Sequence, residues 1–230
     1  MKKDFAFEMA ASAVRFGVGV TREVGMDLKE LGTTLALVVT DPTIARLPPL
    51  ATVVDSLDRS GVAYVLYDRV RVEPTDESFH DAIAFAGAHA IDAIVAVGGG
   101  STIDTAKAVN LYTTYPPADF LDYVNPPIGK GLPVPGPLKP LMAIPTTAGT
   151  GSETTGVSIF DYKALHAKTG IASRRLSLRR PASTSSATRS SRTRRCPSAI
   201  ARCRSARRCG RPIKDRIRSA TSGRCRRFAW

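Results

Sequence analysis

The 230-residue chain has no cysteine before residue 196, no histidine after residue 166 and a single acidic residue beyond residue 173. Each shortage excludes something. Cys196, Cys203, Cys209 and Cys225 stand at spacings that match no zinc template and have no histidine beside them, so neither a metal site nor a disulfide framework is expected. His80 and His89, expected on one helix nine residues apart and without acidic partners, read as surface side chains rather than ligands. No run of 18 apolar residues occurs, and the first residues lack the apolar stretch of a signal peptide; a soluble, cytoplasmic protein with no membrane partner is the expectation.

What the chain does contain is divided in two. Residues 1–173 hold 14 Lys+Arg against 19 Asp+Glu, a net of −5, whereas residues 174–230 hold 19 against 1, a net of +18. Residues 1–173 are long enough to bury one substantial core. Residues 174–230 form an Arg/Ser-rich segment expected to be disordered, since closely spaced arginines repel one another and apolar residues are few.

Within the first part, residues 91–110 read as a buried strand, a glycine turn and a helix in immediate succession. Ile94, Val95, Ala96 and Val97 form a continuous apolar run, as in a parallel strand covered on both faces. Gly98, Gly99 and Gly100 then let the backbone turn sharply and bring N–H groups against an anion, at the positive end of the helix that follows. Ser101 is placed to cap that helix, with Asp104 completing a Ser-x-x-Asp box, and Ala106, Lys107 and Ala108 continue as helix formers. Alone, the same glycines could equally make a tight turn that binds nothing.

Strand and helix alternate before it. Phe5, Met9, Ala13 and Phe16 repeat at helical spacing. Thr21 can cap a helix that carries Glu23, Val24, Met26 and Leu28 and ends at Gly32. Residues 35–39 are a second buried-strand run, ending at Thr40-Asp41-Pro42, where Asp41 can either cap a helix or accept hydrogen bonds from a ribose. A helix over 49–60 with Leu50, Val53, Val54 and Leu57 inward, a strand over 62–67 and a helix with Phe79, Ile83, Phe85 and Ala86 follow. This period predicts an α/β fold, a doubly wound, Rossmann-like parallel sheet. After a Pro/Gly-rich connection over 115–140, with one helical turn at 120–123, residues 141–144 make another strand. The loop that follows is dense in hydroxyls, among them Thr146, Thr147 and Thr150, and can line a phosphate or nicotinamide site or serve as a linker. Residues 157–161 and 166–171 read as a hairpin that brings Lys168 toward it.

The string Val97-Gly98-Gly99-Gly100-Ser101-x-x-Asp104-Thr105-Ala106-Lys107, followed by Ile144-Pro145-Thr146-Thr147-Ala148-Gly149-Thr150-Gly151-Ser152-Glu153, resembles the iron-containing alcohol dehydrogenase family. Residues 5–16, 70–76, 119–123, 127–131 and 151–157 are similar to its hydroxyacid-oxoacid transhydrogenase branch. The resemblance implies a dinucleotide-binding domain over 1–173, followed in the family by an all-helical domain holding a divalent metal, iron or zinc. It implies that Asp41 meets the adenosine ribose of NAD(P). Gly98, Gly99, Gly100, Ser101, Thr102 and Asp104 would meet the pyrophosphate, Thr146, Thr147 and Thr150 the phosphate and nicotinamide side, and Lys168 the nicotinamide region. Glu73 stands where some relatives carry Asn, which alters one minor cofactor contact.

By the same resemblance the activity is hydride exchange between 4-hydroxybutyrate and 2-oxoglutarate. The alternatives are an NAD-dependent alcohol dehydrogenase of the same family or a nucleic-acid-binding protein acting through the basic segment. A homodimer and, for eukaryotic relatives, a mitochondrial location are further implications. No catalytic residue is expected in this chain. The family's metal ligands, an Asp and a His four apart plus two later histidines, are expected to be absent, and with them metal binding.

The basic segment reads as an out-of-frame copy of that missing domain. Codons formed from the third base of one codon and the first two of the next permit Gly-Ser-Asn-Pro-Ile-Ser-Asp-Ile-Trp over 214–223. Over 181–195 they permit Gly-Leu-Asp-Leu-Val-Gly-His-Ala-Leu-Glu-Ser-Tyr-Thr-Ala, which contains the lost Asp and His. The rival reading is an arm that contacts nucleic-acid phosphates non-specifically.

Overall fold

Alternation along a strand decides which layer each side chain joins, so a strand apolar at both parities must be covered on both sides. In the computed structural model, which describes residues 14–178, two such strands are central: β1 (Leu35–Thr40) and β3 (Ala93–Gly98). They lie in a four-stranded parallel sheet of order β2-β1-β3-β4, with β2 (Ala63–Tyr67) and β4 (Leu141–Pro145) at the edges. Leu37, Val39, Ile94 and Ala96 pack on one face against Ala82 and Ala86 of α3 (Asp76–Gly87) and Ile103, Ala106 and Val109 of α4 (Gly100–Thr114). Ala36, Val38, Val95 and Val97 pack on the other against α1 (Val24–Glu30) and against Leu50, Val53 and Leu57 of α2 (Pro48–Ser60). The expected parallel α/β architecture is observed.

The winding reverses at β1. The chain leaves β1 through α2 on one face to reach β2, then crosses the other face through α3 to enter β3 on the opposite side of β1. The two loops that follow β1 and β3 therefore diverge and leave a crevice between the strand ends, which is where open α/β sheets bind ligands. Thr40 is in register with Val97, and Gly98 with Pro145, so the carboxyl ends of β1, β3 and β4 are level.

Local signals account for most element boundaries. Thr75 opens α3 with a capping box, its hydroxyl accepting from Ser78 N while Ser78 Oγ accepts from Thr75 N. Gly61 closes α2 in the left-handed conformation. Three expectations need correction. Thr21 caps nothing: it lies inside a 3₁₀ turn (Val20–Glu23) that leads directly into α1, and Met26 is 48% exposed because Val24, Gly25 and Leu28 already fill the face toward α2. Most of the helix expected over 5–16 falls outside the described residues, and residues 14–16 carry no helix. His80 is an exposed residue of α3, but His89 lies beyond its end, against Phe85.

The helices α1 and α2 touch at Gly25, whose N–H donates to Ser56 Oγ, and that hydroxyl in turn donates to Arg22 O. A Cβ on Gly25 would stand 2.1 Å from the Ser56 carbonyl oxygen. Backbone cannot yield as a side chain can, so Gly25→Ala is expected to destabilise the domain by about 1–3 kcal/mol. A fall in the urea midpoint followed by far-UV circular dichroism checks this; an unchanged midpoint would contradict it.

A third cluster joins the remaining pieces. The hairpin of β5 (Val157–Tyr162) and β6 (Ala167–Ala172), antiparallel as expected, sends Phe160 and Ile171 inward against Phe79, Leu111 and Tyr112. The Pro-rich connection adds Tyr123, Val124 and Val134, with a 3₁₀ turn at Phe120–Asp122. Leu176, beyond the change in composition, is 2% exposed in this cluster. The disorder expected of the basic segment lies, for residues 179–230, outside the described residues.

Candidate functional site

Three loops meet at the level carboxyl ends of β1, β3 and β4. After β3, Gly98 ends the strand and α4 begins at Gly100, with Gly99 as the residue before it in extended backbone. The first hydrogen bond of the helix runs from Ile103 N to Gly99 O, so the N–H groups of Gly100, Ser101 and Thr102 precede any intrahelical acceptor. These N–H groups, at the positive end of a 15-residue helix, form an anion-receptive turn. Thr102 contributes only its backbone: its side chain is buried beneath Gly98, where a Cβ would stand 2.3 Å from Thr102 Oγ1.

The expected cap is not made. Ser101 is the second residue of α4 rather than its cap, and its Oγ instead accepts from Glu73 N at 3.3 Å. Asp104 turns away from the helix start: its Oδ2 accepts from Ile159 N at 3.3 Å and its Oδ1 faces Lys107 Nζ at 3.8 Å. The helix starts too early for a Ser101 cap because the extended Gly99 already provides its first carbonyl. At 8% exposure, burial holds the Asp104 carboxyl above its ordinary range, an effect that the Lys107 charge and the Ile159 N–H offset in part.

After β4, the hydroxyl-rich loop folds over the glycine turn. Thr146 N donates to Gly98 O at 3.0 Å. A Cβ on Gly99 would meet Thr147 Oγ1 at 3.1 Å, and one on Gly100 would meet Ser152 Oγ at 3.1 Å and Thr150 Cβ at 3.3 Å. Thr146, Thr147 and Thr150 are exposed. The glycines thus let the loop lie against the start of α4 at a distance that a side chain would not allow. After β1, Asp41 accepts from Thr43 N and Ile44 N through the same oxygen, both at 2.9 Å. Through Oδ1 it caps the 3₁₀ turn Ile44–Arg46, as one of its two expected roles requires, and Oδ2 takes no part in that turn. The structure brings Asp41 and the glycine turn to adjacent strand ends at the point where the winding reverses.

Lys168 is placed on the other side of the helix start. Its Nζ lies 3.6 Å from Asp161 Oδ1 and 3.8 Å from Glu73 Oε1, in a cleft of about 180 Å³ that Gly100, Ser101 and Asp104 also line. Glu73 has φ +55°, a left-handed conformation that disfavours a residue with a Cβ and that occurs here at the rim of this cleft.

One residue that sequence reasoning took for a plain helix former is central to the site. Lys107 is fully buried in α4, and its Nζ donates to three carbonyls of the loop: Ser152 at 2.6 Å, Val157 at 2.7 Å and Thr155 at 2.8 Å. A signal was present. Asp104, Lys107 and Asn110 recur every three residues, with only Thr105 otherwise polar between them, and so share one side of the helix.

The metal expectation needs one correction: an Asp-x-x-x-His pair does occur, at Asp76 and His80 of α3. It does not form a site. Asp76 opens the helix and accepts from Lys163 N, while the His80 ring packs 4.4 Å from the Phe120 ring. Among the described residues no group of three His, Cys, Asp or Glu converges, and no helix is long and apolar enough to cross a membrane. The described residues therefore do not fit a resident metal.

An anion-receptive turn at the reversal point of a parallel sheet, roofed by a hydroxyl loop, defines a Rossmann-like α/β domain. The model of the family described as iron-containing alcohol dehydrogenase matches residues 11–178, and the chain belongs to that family. Over 171 residues it is 63% identical to the mitochondrial hydroxyacid-oxoacid transhydrogenase of Bos taurus, a match covering 74% of this chain and 37% of that protein. Among solved structures, an alcohol dehydrogenase from Oenococcus oeni superposes with a TM-score of 0.67 at 31% identity, covering 74% of this chain and 44% of that one. An NADH-dependent butanol dehydrogenase A from Thermotoga maritima does so with a TM-score of 0.67 at 27% identity, covering 76% and 42%. The chain spans a little more than a third of the length of the curated relatives it matches.

Proposed function

We propose that the described domain is the NAD-binding half of a hydride-transferring oxidoreductase. The complete enzyme would move a hydride and a proton from the carbinol group of 4-hydroxybutyrate to the carbonyl group of 2-oxoglutarate, with NAD, held by the residues named below, supplying the hydride carrier. Succinate semialdehyde and 2-hydroxyglutarate are the products. The observation that carries the nucleotide reading is the set of N–H groups of Gly100, Ser101 and Thr102 that precede any acceptor within α4, at a strand end next to the one that Asp41 follows. The pyrophosphate sits at Gly99, Gly100 and the start of α4, where Ser101 and Thr102 add N–H groups. The free Oδ2 of Asp41 takes a ribose hydroxyl, and its charge disfavours the 2′-phosphate of NADP. Thr146, Thr147 and Thr150 close over the phosphate and nicotinamide side. Lys168 reaches the cleft from β6, and Asp104 acts by fastening β5 to α4 rather than by touching the nucleotide.

The choice of substrates rests on the 63% identity to a transhydrogenase. In the complete enzyme a helical domain would hold the divalent metal, which would supply polarisation of the substrate oxygen, and no step by the described residues depends on it. The out-of-frame matches over 181–195 and 214–223 support a reading in which this domain is encoded but misread. The chain as written then lacks dehydrogenase activity and holds NAD weakly, with part of the cleft wall missing.

Titration of the full chain with NADH, followed by nicotinamide fluorescence, tests the nucleotide site. Asp41→Asn keeps an oxygen for Thr43 N and Ile44 N but loses the charge, and is expected to weaken NADH binding about tenfold, or ~1.4 kcal/mol, with the fold unchanged. Binding indifferent to this substitution would contradict the assignment.

A further inference from the structure

We infer that Lys107 is a positioning residue: its ammonium group holds the 146–157 loop in the conformation that roofs the glycine turn. The inference rests on the nucleotide reading for its functional consequence, but its geometric part stands alone. An ammonium has three N–H donors and no acceptor, and here each donor meets a different loop carbonyl, those of Ser152, Thr155 and Val157. The Asp104 and Glu153 carboxylates supply the countercharge that a buried cation requires.

The loop has few other ties. Its first residue is held by Thr146 N on Gly98 O. Its return is held by Lys107, and just beyond it Ser158 Oγ donates to Asp104 O at 2.8 Å. Between these anchors Thr147 and Thr150 face Gly99 and Gly100 through close contacts. Within the loop Thr154 N and Thr155 N both donate to Gly151 O, and Gly156 O accepts from Ser173 N; the carbonyls of Ser152, Thr155 and Val157 are met by Lys107, one donor each. Without that cation the roof would be an exposed loop with many conformations, and binding would bear the cost of ordering it. The helix that begins at the glycine turn therefore carries, two turns later, the clamp that shapes the loop over that turn.

The test compares the full chain with Lys107→Met, which keeps side-chain length without donors, and Lys107→Gln, which keeps two N–H donors. Amide hydrogen exchange without nucleotide reads the loop, and NADH titration reads the site. In Lys107→Met, residues 146–157 should exchange at least tenfold faster while β1 and β3 are unchanged, and the NADH dissociation constant should rise at least tenfold; Lys107→Gln should fall between. Uniform acceleration across the domain, or unchanged loop protection, overturns the inference. So does a Lys107→Met variant that binds NADH as tightly as the parent. If Lys107→Met fails to fold, Lys107→Gln is judged by the same criteria. A parent chain that binds no NADH, in which the loop alone loses protection on substitution, refutes the nucleotide reading and leaves the clamp supported.

Discussion

Gly99→Val is expected to remove NADH binding almost entirely while leaving the domain folded. Gly99 has φ −82° and ψ −168°, extended backbone that a β-branched residue adopts without strain. The substitution therefore acts through space alone. Its Cβ would stand 3.1 Å from Thr147 Oγ1, and its two methyl groups would crowd the approach to the N–H groups at the start of α4. A pyrophosphate placed there would lose both its room and its approach to the N–H groups of α4. A loss of at least about 100-fold in affinity, ~2.7 kcal/mol, is expected by fluorescence titration. The urea midpoint should move little, since only a side chain is displaced. Affinity within threefold of the parent would place the nucleotide elsewhere.

Restoring the reading frame after the codons for residues 173–181 is expected to turn a chain without measurable dehydrogenase activity into an active one. The composition changes abruptly there, from a net of −5 over 173 residues to +18 over 57. In the shifted frame, the residues that reappear include an Asp and a His four apart, a spacing that puts both on one helix face and suits a metal. The restored chain should retain iron or zinc after dialysis and form succinate semialdehyde from 4-hydroxybutyrate in the presence of 2-oxoglutarate. If instead the nucleotide sequence showed no shifted frame that continues through both matches, and the chain as written retained metal and turned over substrate, this account of residues 174–230 would be wrong. Oxidation of simple primary alcohols with free NAD by the restored chain, without action on 4-hydroxybutyrate, would move the assignment to the alcohol dehydrogenases of the family.

The parts of this fold that could be read in the sequence are those set by local chemistry. The unbroken apolar runs of β1 and β3 could only be strands covered on both faces, and the glycines after β3 announced a turn against a helix start. Residues whose roles depend on distant partners were misread. Ser101 and Asp104 carry the spacing of a capping box, yet Gly99 starts the helix, and Asp104 is claimed by Ile159 and Lys107, the first of them 55 residues away in the chain. Lys107 reads as no more than a helix former because a buried lysine is recognised only by its acceptors, and these lie 45 to 50 residues further on. Lys168 was placed near the threonine loop from hairpin logic, but the register of β5 with β6 sets it against Asp161, and the turn at Glu73 completes its surroundings. Asp41 was legible as a strand-end carboxylate. What its neighbours were could be learned only from the sheet order.

The most direct test of the central claim, that residues 14–178 form a nucleotide-binding domain of this family, is to map NAD on the chain by amide chemical shifts in two-dimensional NMR. The expected result is a saturable set of shifts at Gly98 to Thr102, at Asp41 and at Thr146 to Thr150, with β2 and the α1–α2 contact silent. Shifts confined to the strongly basic residues 174–230, as an anion attracted by charge alone would give, or no shifts at millimolar NAD, would contradict it.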